Sequence, residues 1–287
     1  MARVVVVHGI NNTYASRPQM ADRWIPALRG GLDNAVLEGL IAPVEVAASD
    51  VECVFYGDLF RPAGRRLSGD VPPLTADDVE DGPELDLLLA WWAAAAEADP
   101  AVPSPGGRTL GPKASARAAV LALAGSRFLA RVSERLLIFW LKQVTAYFTD
   151  PAIRAGVQDR FAAAISADTR VVVAHSLGSV VAYEALCAHP EWPVTDLVTL
   201  GSPLGVPHLV LHRLVPPVGT WPGVARWVNV TDSGDFVALR PTLRDVYGDR
   251  VVDVAISNGM SAHEVERYLS AAPTGAAVAA GLLNGQR

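Results

Sequence analysis

Two cysteines, Cys53 and Cys187, are all that the 287-residue chain offers for covalent cross-linking. Each lies in an apolar stretch with no second cysteine nearby. Both therefore read as buried free thiols, and the fold needs no oxidising compartment. Long uncharged apolar runs are missing as well. The most apolar helical stretch, 113–148, is interrupted by Arg117, Arg127, Arg131, Glu134 and Arg135. No transmembrane helix is expected. There is no Lys/Arg block, and the formal net charge is -6. That excludes a nucleic-acid partner and leaves mild acidity as an aid to solubility. Met1 runs into a β-like stretch within two residues, which leaves no room for the basic region and cleavage site of a signal peptide. A cytoplasmic location is the expectation. Repeats and low-complexity tails are absent too. What is present is apolar: 51% of residues, against 19% charged. A chain of this length and composition buries a large core, which excludes disorder.

Short β-branched runs alternate with helical patterns. Arg3 to His8, Val51 to Tyr56, Arg170 to His175, Val194 to Leu200, Arg226 to Thr231 and Arg250 to Ile256 read as strands. Continuous apolar runs without alternation suit strands buried on both faces, as in parallel sheets. Helices are expected over Gln19 to Leu40, Glu84 to Ala98, Gly178 to His189 and His263 to about Leu283. Another spans Lys113 to Phe148 with a break at Gly125. Asp150-Pro151 reads as an N-cap followed by Pro at the first helical position, opening a helix to about Ile165. The expected fold class is α/β, a doubly wound, mostly parallel sheet in one domain over 1–287, with a helical insertion at about 61–148.

The segment 170–186 reads RVVVAHSLGSVVAYEAL. A buried strand runs into A-H-S-L-G and a helix follows at once. This matches the nucleophile elbow G-x-S-x-G, with Ala174 in place of the first Gly. Such a turn lifts the Ser176 hydroxyl clear of the sheet, and small residues two before and two after let strand and helix pass closely. The competing reading is a serine that N-caps the helix. At the helix start, the N–H of Leu177 points toward a substrate oxyanion. His175, beside the serine, is expected to pack at the strand end with its ring turned away from the hydroxyl.

The first strand ends in His-Gly. In acyl-transfer sites of this kind, the residue after His-Gly supplies a second oxyanion N–H. Here that is Ile10, with Asn11 as the next candidate. The acid and base should follow the serine in the order Asp/Glu, then His. Of six histidines, only His263 lies beyond a final strand, after the turn-forming Ser257-Asn258-Gly259. It is the expected general base. Two carboxylates qualify as its partner, Asp232 and Asp235, on the loop after Arg226 to Thr231. Asp235 is preferred, because Phe236-Val237 would wall it from water and burial suits an acid that orients a histidine tautomer. Asp232 would cap the turn.

HGIN, VVVAHSLGSVVAYEAL, TLGSPLG, WVNVTDSGDFVAL and the late His263 together resemble the α/β-hydrolase superfamily. Within it they resemble the lipase-like serine esterases related to GPI inositol-deacylase. The resemblance spans 1–60 and about 145–270. It implies hydrolysis of carboxyl or lipid esters through an acyl-enzyme on Ser176, without metal or organic cofactor. Peptidases and thioesterases share the fold, and so would a silent interaction module.

The insertion carries Phe128, Leu129, Val132, Leu136, Phe139, Trp140, Val144 and Tyr147 at helical spacing. With Leu137, Ile138 and Leu141 the apolar surface wraps most of the helix, so the helix must be buried against something. The sheet, an acyl pocket over Ser176 shared with Trp91 and Trp92, a dimer partner and a peripheral membrane contact all remain open, as does the oligomeric state.

Overall fold

The valine runs find hydrophobic neighbours on both sides, and this decides the architecture. In the computed structural model, residues 2–10, 12–61, 71–106, 111–126 and 132–284 are described. Six strands form one all-parallel sheet: β1 (Val4–Val7), β2 (Val51–Val54), β3 (Val171–His175), β4 (Asp196–Leu200), β5 (Arg226–Asp232) and β6 (Val251–Ile256). Their spatial order is β2-β1-β3-β4-β5-β6. In register, Val4 pairs with Val51 on one side and Val171 on the other, and Asp196 pairs with both Val171 and Arg226. Successive side chains point to opposite faces. Val4, Val6, Val171 and Val173 enter one core, while Val5, Val7, Val172 and Ala174 enter the other.

Helices cover both faces. Residues of α1 (Arg17–Leu37), α8 (Val265–Leu269) and α9 (Ala272–Asn284) complete the core behind Val4 and Val6. On the other face lie α2 (Pro83–Ala98), α3 (Pro112–Ala124), α4 (Glu134–Thr149), α5 (Pro151–Ala164) and α6 (Leu177–Ala188). A short α7 (Arg244–Tyr247) precedes β6. The expected α/β class and doubly wound sheet are thus present. Asp150 caps α5 by accepting the N–H groups of Ala152 and Ile153 at 2.8 and 3.2 Å, with Pro151 as first helical residue. No helix among the described residues is long and apolar enough to cross a membrane.

The closing helix departs from expectation. The span from His263 to Leu283 is two helices, α8 and α9, parted at Ser270-Ala271. Pro273 supplies no N–H and tolerates only a first helical turn, so the chain must restart there. The Thr274 hydroxyl then donates to the Tyr268 carbonyl at 2.7 Å, beside the Ala271 N–H at 3.3 Å.

The insertion packs as helices on the α6 face of the sheet. Leu137, Ile138, Phe139, Trp140 and Leu141 of α4 are all buried in that core. Lys142 donates to both Glu84 oxygens at 2.9 and 3.1 Å, tying α4 to α2. Phe128 and Leu129, read as part of the same apolar stripe, lie outside the described residues.

β1 connects outward to β2, whereas β3 leads the other way across the sheet. The carboxyl ends of β1 and β3 therefore flank the topological switch point, where connections diverge and leave a crevice. His8-Gly9-Ile10 and His175-Ser176-Leu177 sit at those two ends.

Candidate active site

Ser176 occupies the turn between β3 and α6 at φ 55 and ψ -132. A side chain at positive φ is strained, and strain of this kind persists only where the surroundings enforce it. Here the main chain does so. The Ser176 N–H donates to the Leu200 carbonyl at 3.0 Å, and the Ser179 N–H donates to the Ser176 carbonyl at 2.9 Å. The reading of small residues around the turn has a direct counterpart: a Cβ on Gly178 would lie 2.5 Å from the His8 carbonyl oxygen. The Ser176 side chain makes no cap to its helix. Its hydroxyl is left to turn elsewhere.

It turns to His263. Ser176 Oγ lies 3.1 Å from His263 Nε2, and His263 Nδ1 lies 2.8 Å from Asp235 Oδ2. A carboxylate only accepts, so Nδ1 carries the proton and donates it. Nε2 is then the bare nitrogen, and the serine hydroxyl donates to it. Asp235 is buried, and its other oxygen accepts the N–H groups of Val237 and Ala238 at 2.8 and 3.4 Å. Asp232 faces away from this line. Its carboxylate accepts the Gly234 N–H at 2.6 Å and the Asn258 N–H, stapling the loop after β5 to the loop after β6.

Gly201, at the end of β4, is where the Asp235 and His263 side chains find room. Its φ is +53, and a Cβ there would lie 2.5 Å from Asp235 Oδ2 and 3.3 Å from His263 Nδ1. TLGSPLG contains this glycine, but composition alone does not reveal which turn passes beneath a carboxylate. Tyr268, five residues after His263, was equally invisible. Its hydroxyl donates to Asp235 Oδ2 at 2.7 Å and accepts the Asp232 N–H at 3.0 Å. Burial, with Asp235 alongside, holds its phenol far above the usual range, so it keeps its proton.

His175 packs at the strand end, where its ring sits 4.6 Å from the His263 ring, centroid to centroid, and the residue lines the same cavity. Period two puts it on the Val171 and Val173 face, where Trp24 and Tyr268 also pack, and His263 arrives over that face from β6. Burial, reinforced by His263, holds His175 well below the ordinary histidine range, and its Nε2 has no partner.

Across the crevice, His8 is clamped. Its Nε2 accepts the Tyr56 N–H at 3.0 Å, so Nδ1 carries the proton and donates to the Gly9 carbonyl. The Tyr56 hydroxyl donates to the His8 carbonyl. Burial pushes His8 down to about 4, so the ring is neutral at pH 7. This clamp holds Gly9 against Ser176: a Cβ on Gly9 would be 2.6 Å from that of the serine. Ile10 follows and lines the cavity. Leu177 opens α6, so its N–H is among the helix's free N-terminal donors. Asn11 lies outside the described residues.

A cavity of about 660 Å³ lies over Ser176 and His263. One flank is apolar, built from Ile10, Val132, Trp140, Phe236 and Val237. Trp140 stacks on Phe236 at 5.2 Å with an interplanar angle of 6°, and Phe236 lies 5.0 Å from the His263 ring. Trp91 also stacks on Phe236, at 6.4 Å, so the insertion walls the His263 ring. The lining also carries the polar residues Arg23, Ser233, Ser261, Glu264 and Glu266. No group of three or more His, Cys, Asp or Glu among the described residues could hold a metal ion. Comparison with family models, with curated proteins and with solved structures finds no match to this chain.

Proposed function

We propose that the chain is a serine hydrolase with the α/β-hydrolase fold, cleaving carboxyl esters through an acyl-enzyme on Ser176. The observation that carries this reading is the unbroken line Ser176 Oγ, His263 Nε2, His263 Nδ1, Asp235 Oδ2, at 3.1 and 2.8 Å, opening into a cavity. Three groups in that line from three separate loops, with each proton position dictated by the next acceptor, have no structural task that simpler residues would not serve. Ser176 Oγ attacks the acyl carbon as its proton passes to His263 Nε2. Negative charge gathers on the former carbonyl oxygen, where the N–H groups of Leu177 and Ile10 receive it. The imidazolium, offset by Asp235, returns the proton to the departing alcohol. Water then repeats the sequence and frees the acid.

The cavity favours a substrate of small to moderate size, with its acyl group against Trp140, Phe236 and Ile10 and its alcohol toward the polar residues of the lining. An apolar wall contributes binding through burial, roughly 25 cal/mol per Å². The insertion thus serves as packing and as pocket wall at once. Free Cys53 and Cys187 fit a reducing compartment such as the cytoplasm.

The test is covalent labelling by a fluorophosphonate together with a panel of esters, thioesters and peptides of graded acyl length. Ser176→Ala should abolish labelling and lower kcat by at least about 10³-fold. Labelling that survives in folded Ser176→Ala removes Ser176 from the chemistry. A wild-type chain that neither labels nor hydrolyses any member of the panel overturns the proposal.

A further inference from the structure

We infer that Tyr268 is a positioning residue of this site: it shares the Asp235 carboxylate with His263 and so sets the pH at which the imidazole takes up its proton. The inference builds on the proposed role of His263 as base, but its test reads the ring itself.

Both donors converge on one oxygen. Asp235 Oδ2 receives the Tyr268 hydroxyl at 2.7 Å and His263 Nδ1–H at 2.8 Å. Tyr268 is fully buried, where phenylalanine would fill nearly the same volume without a polar atom needing a partner. The hydroxyl is satisfied on both counts, since it also accepts the Asp232 N–H at 3.0 Å. That incoming N–H polarises the O–H and strengthens its donation to the carboxylate. The carboxylate's charge is therefore divided between the phenol and the imidazole. Hydrogen bonding to a charged group stabilises it where it stands, and it has less attraction left for a second partner. A protonated His263 draws on that remainder far more than a neutral one does. Without the phenol, the whole pull of Oδ2 falls on the ring and the imidazolium becomes easier to form.

The other groups around the ring do not take over this part. His175 on β3 stays neutral through burial. Asp232 at the end of β5 is held by Gly234 and Asn258. On the open side of the cavity, Glu266 on α8 is paired with Arg23 on α1, and Glu264 is exposed to solvent that screens it.

The experiment follows the His263 ring by NMR titration in the full chain, with His263→Gln assigning the signal. In Tyr268→Phe the protonation midpoint should rise by about half a pH unit or more. The acid limb of kcat/KM for an ester should move the same way. Replacement of Tyr268 by ortho-fluorotyrosine, whose more acidic hydroxyl donates more strongly in nearly the same volume, should lower the midpoint, and it serves if Tyr268→Phe fails to fold. A phenol that only packs would change stability and leave both midpoints in place, and that result overturns the inference. Failure of the serine-hydrolase reading is a separate result, because retained labelling in Ser176→Ala leaves the NMR midpoints standing.

Discussion

The two sides of the site are built by different means. On the Ser176 side, residues 8–10 and 175–177 end adjacent parallel strands, and main-chain N–H groups hold them: Ser176 N–H to Leu200, Ser179 N–H to Ser176, Tyr56 N–H to the His8 ring. On the His263 side, Asp235, His263 and Tyr268 come from the loop after β5, the loop after β6 and α8, and side chains hold side chains. The first side is a property of strand ends and a tight turn. The second exists only when three distant segments meet. Its geometry should therefore be vulnerable to single atoms, while the first should be vulnerable mainly to changes in burial and charge.

The sharpest test of that contrast is on the carboxylates. Asp235→Asn should lower kcat by about 10⁴-fold, because an amide presents an N–H toward Nδ1 and favours the wrong tautomer. Asp232→Asn should act as a loop mutation, with lost stability and less than about 10-fold loss in kcat. Equal kinetic losses in the two variants would break the comparison. A smaller effect is expected from Gly201→Ala, whose methyl would press on Asp235 Oδ2 and His263 Nδ1. Displacement of this order costs about 10²-fold in kcat. Normal turnover in that variant would show that the His263 side yields without loss.

The Ser176 side should fail through pH rather than through one atom. His8 is pushed down to about 4 in the fold, against 6.5 for an exposed histidine. Below 6.5 the unfolded chain binds a proton that the folded chain refuses. The His8 contribution is thus complete above pH 6.5 and is lost as pH falls toward 4, about 3 kcal/mol in all. His175, shifted in the same direction, adds to the slope. Denaturant titrations across this range should show stability falling with acid, and His8→Gln should flatten that slope. Stability unchanged from pH 6.5 to 4 would mean that the buried ring is not held neutral.

Much of this was readable in the chain. Valine runs without alternation demand two covered faces, and two covered faces demand helices on both sides of a parallel sheet. Asp150-Pro151 announces α5 because cap and N1 proline are local chemistry. Asp235 was separable from Asp232 because a short turn with Ser233-Gly234 suits Asp232 as its staple, leaving Asp235 beside the apolar Phe236. The break at Ser270-Ala271 was missed because periodicity continues through it, and only Pro273 betrays it.

What the sequence determined by itself are the features whose cause lies within one turn or one strand. The sheet, the helix cap at Asp150 and the Ser176 turn between β3 and α6 are of this kind. Tertiary structure alone decided that Gly201 leaves room beneath Asp235, that the His175 ring meets His263, that Trp140 stacks on Phe236, and that Tyr268 reaches the same oxygen as the imidazole. Each of these depends on where a strand order places two segments far apart in the chain. Hydrogen bonds and ring contacts act over a few ångströms of space, and no local pattern encodes which distant side chain will arrive within that range.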